Sequence, residues 1–286
     1  MGASLLITLR EGLEISLVLA IIFAYLKKSG RVESFKAVWQ GTAAAAAVCI
    51  VAGVVFHTVV GDFAGKTEQL VEGVLALSAV AVLTWMIFWM RSHARSMHGR
   101  MHSRIDTALA QSPLAVAAVA FIAVAREGFE TVLFLVGAEA EGSSGTQVVV
   151  GGLIGLGAAS LLGFALYTGS YRIDLRKFFN WTGALLILFA AGLFAKGIHE
   201  LREFFDIEWS AIATPLWEVA SGPWTEGHTW HDFMKGLFGW NPNPERIRVV
   251  AYFAYLLPVG WAYYRGAGTT PAAHNGEYAS KAHSRG

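Results

Sequence analysis

Arg10-Glu11-Gly12-Leu13-Glu14 and Arg126-Glu127-Gly128-Phe129-Glu130 write one pattern, R-E-G-x-E, at two places in a chain of 286 residues. Each copy sets two carboxylates and a guanidinium in a stretch that is otherwise nearly all hydrocarbon. Ionised groups at membrane depth cost several kcal/mol unless they are paired, so their default meaning is an ion or substrate path. On a helix the two glutamates of one copy fall one turn apart on the same face. If the two motif helices cross, Glu11, Glu14, Glu127 and Glu130 converge, and Gly12 and Gly128, which lack a Cβ, are expected at the crossing point. Arg10 and Arg126 stand i,i+4 to Glu14 and Glu130 and can neutralise part of the charge. Four carboxylates against two guanidiniums leave a surplus of two negative charges. An oxygen-only ligand set favours a hard cation. The competing reading makes each Arg–Glu pair a buried salt bridge that holds packing together. Such pairs are poor stabilisers, and that reading leaves one glutamate of each copy without a purpose.

The elements that must position these groups are membrane helices. Hydrophobic residues make up 55% of the chain and charged ones 15%, with a mean hydropathy of +0.48. Soluble domains carry about 25% charged residues, so this chain has too little polar surface to face water all round. An all-α integral membrane protein in contact with the lipid bilayer is the class that remains. The net charge of +1 and the absence of a continuous basic stripe exclude a nucleic-acid partner. Cys49, the one cysteine, excludes an internal disulfide and a thiolate cluster. No basic segment precedes the first apolar run, and Arg10 and Glu11 interrupt it, so it is expected to persist in the mature protein rather than act as a cleaved signal.

Seven windows are long enough to span the roughly 30 Å of bilayer hydrocarbon: about 4–26, 37–60, 70–90, 113–138, 147–170, 179–198 and 249–264. The last is the shortest and can begin inside the preceding loop. Lysine and arginine concentrate in 27–36, 91–112, 171–178 and the C-terminal tail, and thin out in 61–69, 139–146 and 199–248. The basic connections alternate with the others, which predicts an outside N-terminus and a cytoplasmic C-terminus. The segment 199–248 carries Trp209, Trp217, Trp224, Trp230 and Trp240 and is expected to lie across the outer mouth. The tail 266–286 reads as disordered.

The windows fall into two units, about 1–90 and 113–198, each opening with a motif helix followed by a small-residue helix. The small-residue runs are Gly41-Thr42-Ala43-Ala44-Ala45-Ala46-Ala47 and Gly151-Gly152-Leu153-Ile154-Gly155-Leu156-Gly157. With three spans per unit the second is inserted upside down, an inverted-repeat transporter architecture with its substrate site at the repeat interface. The helix at 249–264 stands outside the repeat and completes a membrane domain over 1–265.

The two motifs resemble the signature of the oxidase-dependent iron permease family, which comprises fungal high-affinity iron permeases and bacterial EfeU-type iron permeases. Glu72-Gly73, Trp89-Met90-Arg91, Gly197-Ile198-His199-Glu200-Leu201 and Gly236-Leu237-Phe238-Gly239-Trp240 are similar to the bacterial members. The resemblance covers nearly the whole chain to about 265. It implies seven spans, an outside N-terminus, a bacterial inner-membrane location and iron as the transported substrate, with no bound organic cofactor. It also implies the motif glutamates as ligands and an extracytoplasmic partner protein that oxidises or delivers iron. The residues alone give only a hard-cation transporter.

Glu72, Glu139, His199 and Glu200 are candidates for an outer vestibule that gathers cations. Glu226, His228, His231 and Asp232 form a metal-capable group that more simply reads as surface polar residues. Lys196 is expected to snorkel outward. His57 reads as hydrogen-bonded packing, although His57 and His199 could on paper ligate a haem. Two other functions therefore stand beside iron uptake: a membrane di-metal oxidase or b-type cytochrome, and a carrier of another hard divalent cation. Di-iron bundle sites usually add Glu-x-x-His, and neither motif has that histidine. No G-x-x-x-x-G-K-[ST] is present, so energy is expected from the membrane potential, a proton gradient or coupled oxidation.

Overall fold

The computed structural model describes residues 1–61, 64–93, 112–140, 144–168, 174–207, 209–226 and 228–265. Glu141, most of the basic connection 91–112, Arg172 and the tail expected to be disordered, 266–286, lie outside the described residues. Long helices follow one another: α1 Gly2–Lys28, α2 Phe35–Gly61, α3 Lys66–His93, α4 Pro113–Ala140, α5 Gly145–Tyr167 and α6 Leu175–Phe204. A short helix, α7 Thr229–Phe238, and the final long one, α8 Arg246–Arg265, complete the chain. Among the described residues the only non-helical pairing is an isolated bridge between Pro215 and Glu245.

Local chemistry sets several of the ends. Lys27 and Lys28 occupy the last turn of α1, where positive charge complements the helix dipole. Ser144 caps α5 by accepting from the Gln147 amide at 3.3 Å, and Asp174 caps α6 by accepting from that of Lys177 at 3.2 Å. Gly239, at φ 67°, closes α7 in the left-handed conformation that glycine tolerates best. Each expected window sits in or largely within one of the long helices. The last begins at Arg246, inside what the sequence offers as loop, and α6 runs on to Phe204.

Among the described residues, four segments are long and apolar enough to cross a membrane by length and composition: Val32–Val59, Lys66–Met90, Gly145–Tyr167 and Lys177–Phe204. α1 and α4 are as long, and the ionisable residues that interrupt their apolar runs are those of the motifs.

Packing follows three pairings: α1 against α5, α2 against α4, and α3 against α6. The first is a parallel zipper of small residues. A Cβ added to Gly151 would stand 2.3 Å from Ser4 Oγ, one at Gly155 2.2 Å from Thr8 Oγ1, one at Gly12 2.8 Å from the Ala159 Cβ, and one at Gly163 2.3 Å from the Ser16 Cβ. Contacts advance four residues at a time along both helices, as parallel neighbours require. The second pairing repeats the pattern: Gly41 lies against the Ala117 carbonyl, Gly128 against Cys49 and Gly53 against Val132. The motif helix of each half thus lies in the small-residue groove of the other. α3 and α6 run antiparallel, with Gly73 against Leu201 and Gly197 against Leu77.

The faces of α2 and α5 turned away from these grooves are bare aliphatic surface, including Ile50, Val51, Val54 and Val55, and Leu153, Leu161 and Phe164. Hydrocarbon is the natural solvent for such faces. The main core lies between α3 and α6 around Leu83, Met86, Leu186, Phe189 and Leu193, and takes in Ile7 of α1, Phe134 of α4 and Leu237 of α7. α8 is fastened to this core by a 2.6 Å hydrogen bond between Thr84 and Tyr255 and by Tyr263 donating to the Asn180 carbonyl at 3.0 Å.

The zipper makes a paired expectation. Gly155→Ala drives a methyl into Thr8 and the Leu5 carbonyl and should cost about 1–3 kcal/mol or more. Gly157→Ala, which meets nothing within 4 Å, should be neutral or stabilising by up to about 1 kcal/mol. Thermal unfolding of the two variants in detergent checks this; equal melting points would mean the α1–α5 contact is not close-packed.

Candidate metal site between the motif helices

α1 and α4 also pack on each other, and the contact carries the motifs. One carboxylate oxygen each from Glu11, Glu14 and Glu127 comes within 4.8 Å of the others. Glu130 falls outside that tight group and is held by Arg126, whose Nε donates to Glu130 Oε1 at 3.2 Å and lies 3.8 Å from Glu127 Oε1. Arg10 pairs with Glu14 at 3.4 Å and donates from its terminal nitrogen to Met90 Sδ at 3.2 Å. The copies differ in depth: the Arg10 side chain is 3% exposed and that of Arg126 43%. The Arg126 guanidinium lies 4.7 Å from the centre of the Trp89 ring.

Among the described residues, both Glu11 oxygens, Glu14 Oε1, Glu127 Oε2 and Glu130 Oε2 are buried with no hydrogen-bond partner. A buried polar atom without a partner loses its hydration and regains nothing. A cluster of such oxygens is what a hard cation with oxygen ligands would complete.

The motif glycines take a different part from the expected one. A Cβ on Gly12 would meet Ala159 and Leu156 of α5, and one on Gly128 would meet Cys49 of α2. They let each motif helix sink into the small-residue helix behind it, rather than standing where α1 crosses α4. The reason is angular: a residue next to Glu11 or Glu127 points about 100° away from it, so the glycine cannot share the carboxylates' face.

Residues 1–259 match the Iron permease FTR1 family. The ferrous iron permease EfeU of Yersinia pestis is 37% identical over 257 residues, covering 88% of this chain and 89% of the relative. Those of Shigella sonnei and Escherichia coli O157:H7 are 36% identical over 273 residues, covering 93% and 96%. The chain belongs to the FTR1 iron permease family. No solved structure matches it. Membership makes the chain a membrane transporter of iron rather than an oxidase or a cytochrome, and iron its cargo.

Toward the Met1 end of this permease the three carboxylates expected to form an outer vestibule, Glu72, Glu139 and Glu200, have partners. Glu72 pairs with Lys196 at 3.1 Å, and Lys196 also pairs with Glu200. Lys196 therefore does not snorkel; it turns in between α3 and α6, where two carboxylates hold it. Glu139 is hydrogen-bonded to His57 at 3.1 Å across α2 and α4. His199 sits between Glu245 at 2.9 Å and Glu203 at 3.4 Å, and Arg202 reaches Glu245 at 2.9 Å. Both histidines considered as haem ligands are thus engaged by carboxylates.

Sequence reasoning missed Glu203 and Glu245. The first has a signal, since it stands i,i+4 to His199 once α6 is continued past 198. The second has none, because a loop brings it there. His231 is buried with Nδ1 3.2 Å from Asp232, and Asp232 accepts from Gln147 of α5 at 2.9 Å. That bond from Gln147, with the contact to His231, holds the Asp232 carboxyl below its ordinary range. These residues seat α7 on the bundle, where Phe233 covers Gly2. Glu226 and His228 do not join them in a metal-capable group among the described residues. Trp217, Trp224 and Trp240 stack on one another at 5.5–6.1 Å beside α7.

The unequal burial of the two arginines sets their worth. Arg10→Ala strands a buried carboxylate and should cost about 3–5 kcal/mol, whereas Arg126→Ala, at a half-exposed position, should cost about 1 kcal/mol. Denaturant unfolding of the purified variants decides it, and equal losses would contradict the difference in depth.

Proposed function

We propose that this permease carries ferrous iron into the cytoplasm through a site made by Glu11, Glu14, Glu127 and Glu130. The observation that carries the reading is the group of buried carboxylate oxygens without hydrogen-bond partners at the contact of α1 and α4. Four carboxylates and two guanidiniums leave two negative charges, and one ferrous ion neutralises them. The printed name of the relatives, ferrous iron permease, supports the oxidation state of the cargo.

The ion enters from the Met1 end, where Glu72, Glu139, His199 and Glu200 raise the local concentration of cations. It leaves on the side of the lysine- and arginine-rich connections, which the charge rule assigns to the cytoplasm. In this reading α1 to α6 and α8 all cross the bacterial inner membrane, with 1–90 and 113–198 as inverted repeats and 199–248 across the outer face. The exchange of small-residue helices between the halves supports the repeat, because a two-fold axis relating α1 to α4 and α2 to α5 converts one zipper into the other. An extracytoplasmic protein that oxidises or delivers iron supplies the cargo at this outer face. Arg10 and Arg126 hold the carboxylates in place and reduce their mutual repulsion until iron arrives.

Single glutamine variants of the four glutamates, reconstituted in liposomes, test this. Each should lower the initial rate of ferrous iron uptake by at least about tenfold, as loss of one ligand to an ion costs 1.4 kcal/mol or more, while the protein still inserts and unfolds cooperatively. Undiminished uptake by Glu11→Gln or Glu127→Gln would remove the shared site. Manganese added in tenfold excess should compete weakly if the site selects iron, and fully if it is a general carrier.

A further inference from the structure

We propose that Trp89 and Met90, consecutive residues of α3, are positioning residues that share the two motif arginines with the iron-binding carboxylates, so that neither guanidinium is taken up wholly by them. The inference rests on the four-glutamate reading above. Neighbouring residues on a helix point about 100° apart, so one point of α3 can face two different helices. Here it faces the two that carry the motifs. Met90 accepts a hydrogen bond from the Arg10 terminal nitrogen at 3.2 Å, and the Trp89 ring receives the Arg126 guanidinium at 4.7 Å. Both partners are neutral, so neither adds a charge to the site.

The consequence is competition. Arg126 has Glu127 and Glu130 within ion-pair distance, and each carboxylate it occupies is withdrawn from an incoming cation. The face of an indole attracts a guanidinium through its quadrupole, and more strongly where water is scarce. Trp89 therefore offers Arg126 a third partner, one that iron does not need. When a divalent ion repels the guanidinium, the ring is where it stays. On the other side, Met90 takes the Nη2 donor of Arg10 and so helps to fix where its guanidinium lies beside Glu14. Glu11, whose two oxygens have no hydrogen-bond partner among the described residues, is the glutamate this leaves open.

A double-mutant cycle on the full chain in lipid nanodiscs tests the proposal, with anaerobic equilibrium binding of ferrous iron as the readout. Trp89→Ala should weaken binding about 3–5-fold, the size expected when a half-exposed guanidinium loses an aromatic partner. Trp89→Phe, which keeps a ring with a weaker quadrupole, should fall between. Arg126→Gln removes the guanidinium that the ring receives, so in that background, whatever its own affinity, Trp89→Ala should change affinity less than about twofold. Met90→Leu should show the same dependence on Arg10. Trp89→Leu closes the cycle if the alanine variant does not fold. An equal loss in both backgrounds makes Trp89 merely structural and overturns the inference, as does no loss in the parent or complete abolition of binding in Arg126→Gln. Glu127→Gln separates the two readings. Parent-like affinity there removes the glutamate site itself, whereas abolished binding there together with an uncoupled cycle removes only the arginine holder.

Discussion

Carboxylates that have given up water must find another source of positive charge, and this bundle concentrates that demand where α1 meets α4. Glu11, Glu14 and Glu127 sit within 4.8 Å of one another and are largely cut off from solvent. Mutual repulsion at such distances would part the two helices unless something held them from behind. The holding is done by α5 and α2, whose glycines and alanines take α1 and α4 into close grooves. Van der Waals contact along a whole helix, rather than attraction at the site, opposes the repulsion. The most strongly charged contact in the molecule is thus backed by its least functionalised surfaces.

Elsewhere the permease deals with buried or half-buried charge by pairing. Lys196 bridges Glu72 and Glu200, Arg202 and His199 engage Glu245, and His57 answers Glu139. Each of those carboxylates has a cationic or hydrogen-bonding neighbour. Neither Glu11 oxygen has a hydrogen-bond partner among the described residues. The contrast separates carboxylates that fasten helix ends together from those left with unfilled oxygens.

The two motif copies are nearly identical as sequence and unequal as environment. Arg10 is enclosed beside Met90, while Arg126 is half open to the surroundings and rests on Trp89. Two helices with the same motif need not have the same neighbours, and α3 reaches both motif arginines with different side chains. An ion between the motifs meets one fixed arginine and one that has room to move.

Much of this was legible in the chain. Composition required helices apolar enough for a membrane, the apolar windows fell on long helices, and the spacing of R-E-G-x-E placed both glutamates of each copy on one face. These are properties of a helix taken singly, and periodicity reports them. Which helix lies against which is not such a property. The sequence pointed Gly12 and Gly128 toward the motif crossing, and the tertiary structure turned them to α5 and α2, because the face beside the carboxylates was free to take any small partner. It left Lys196 to solvent, and packing of α3 on α6 drew it between Glu72 and Glu200. Helical spacing fixes directions within one element; only the folded bundle decides what waits at the end of each direction, since that depends on contacts between residues far apart in the chain.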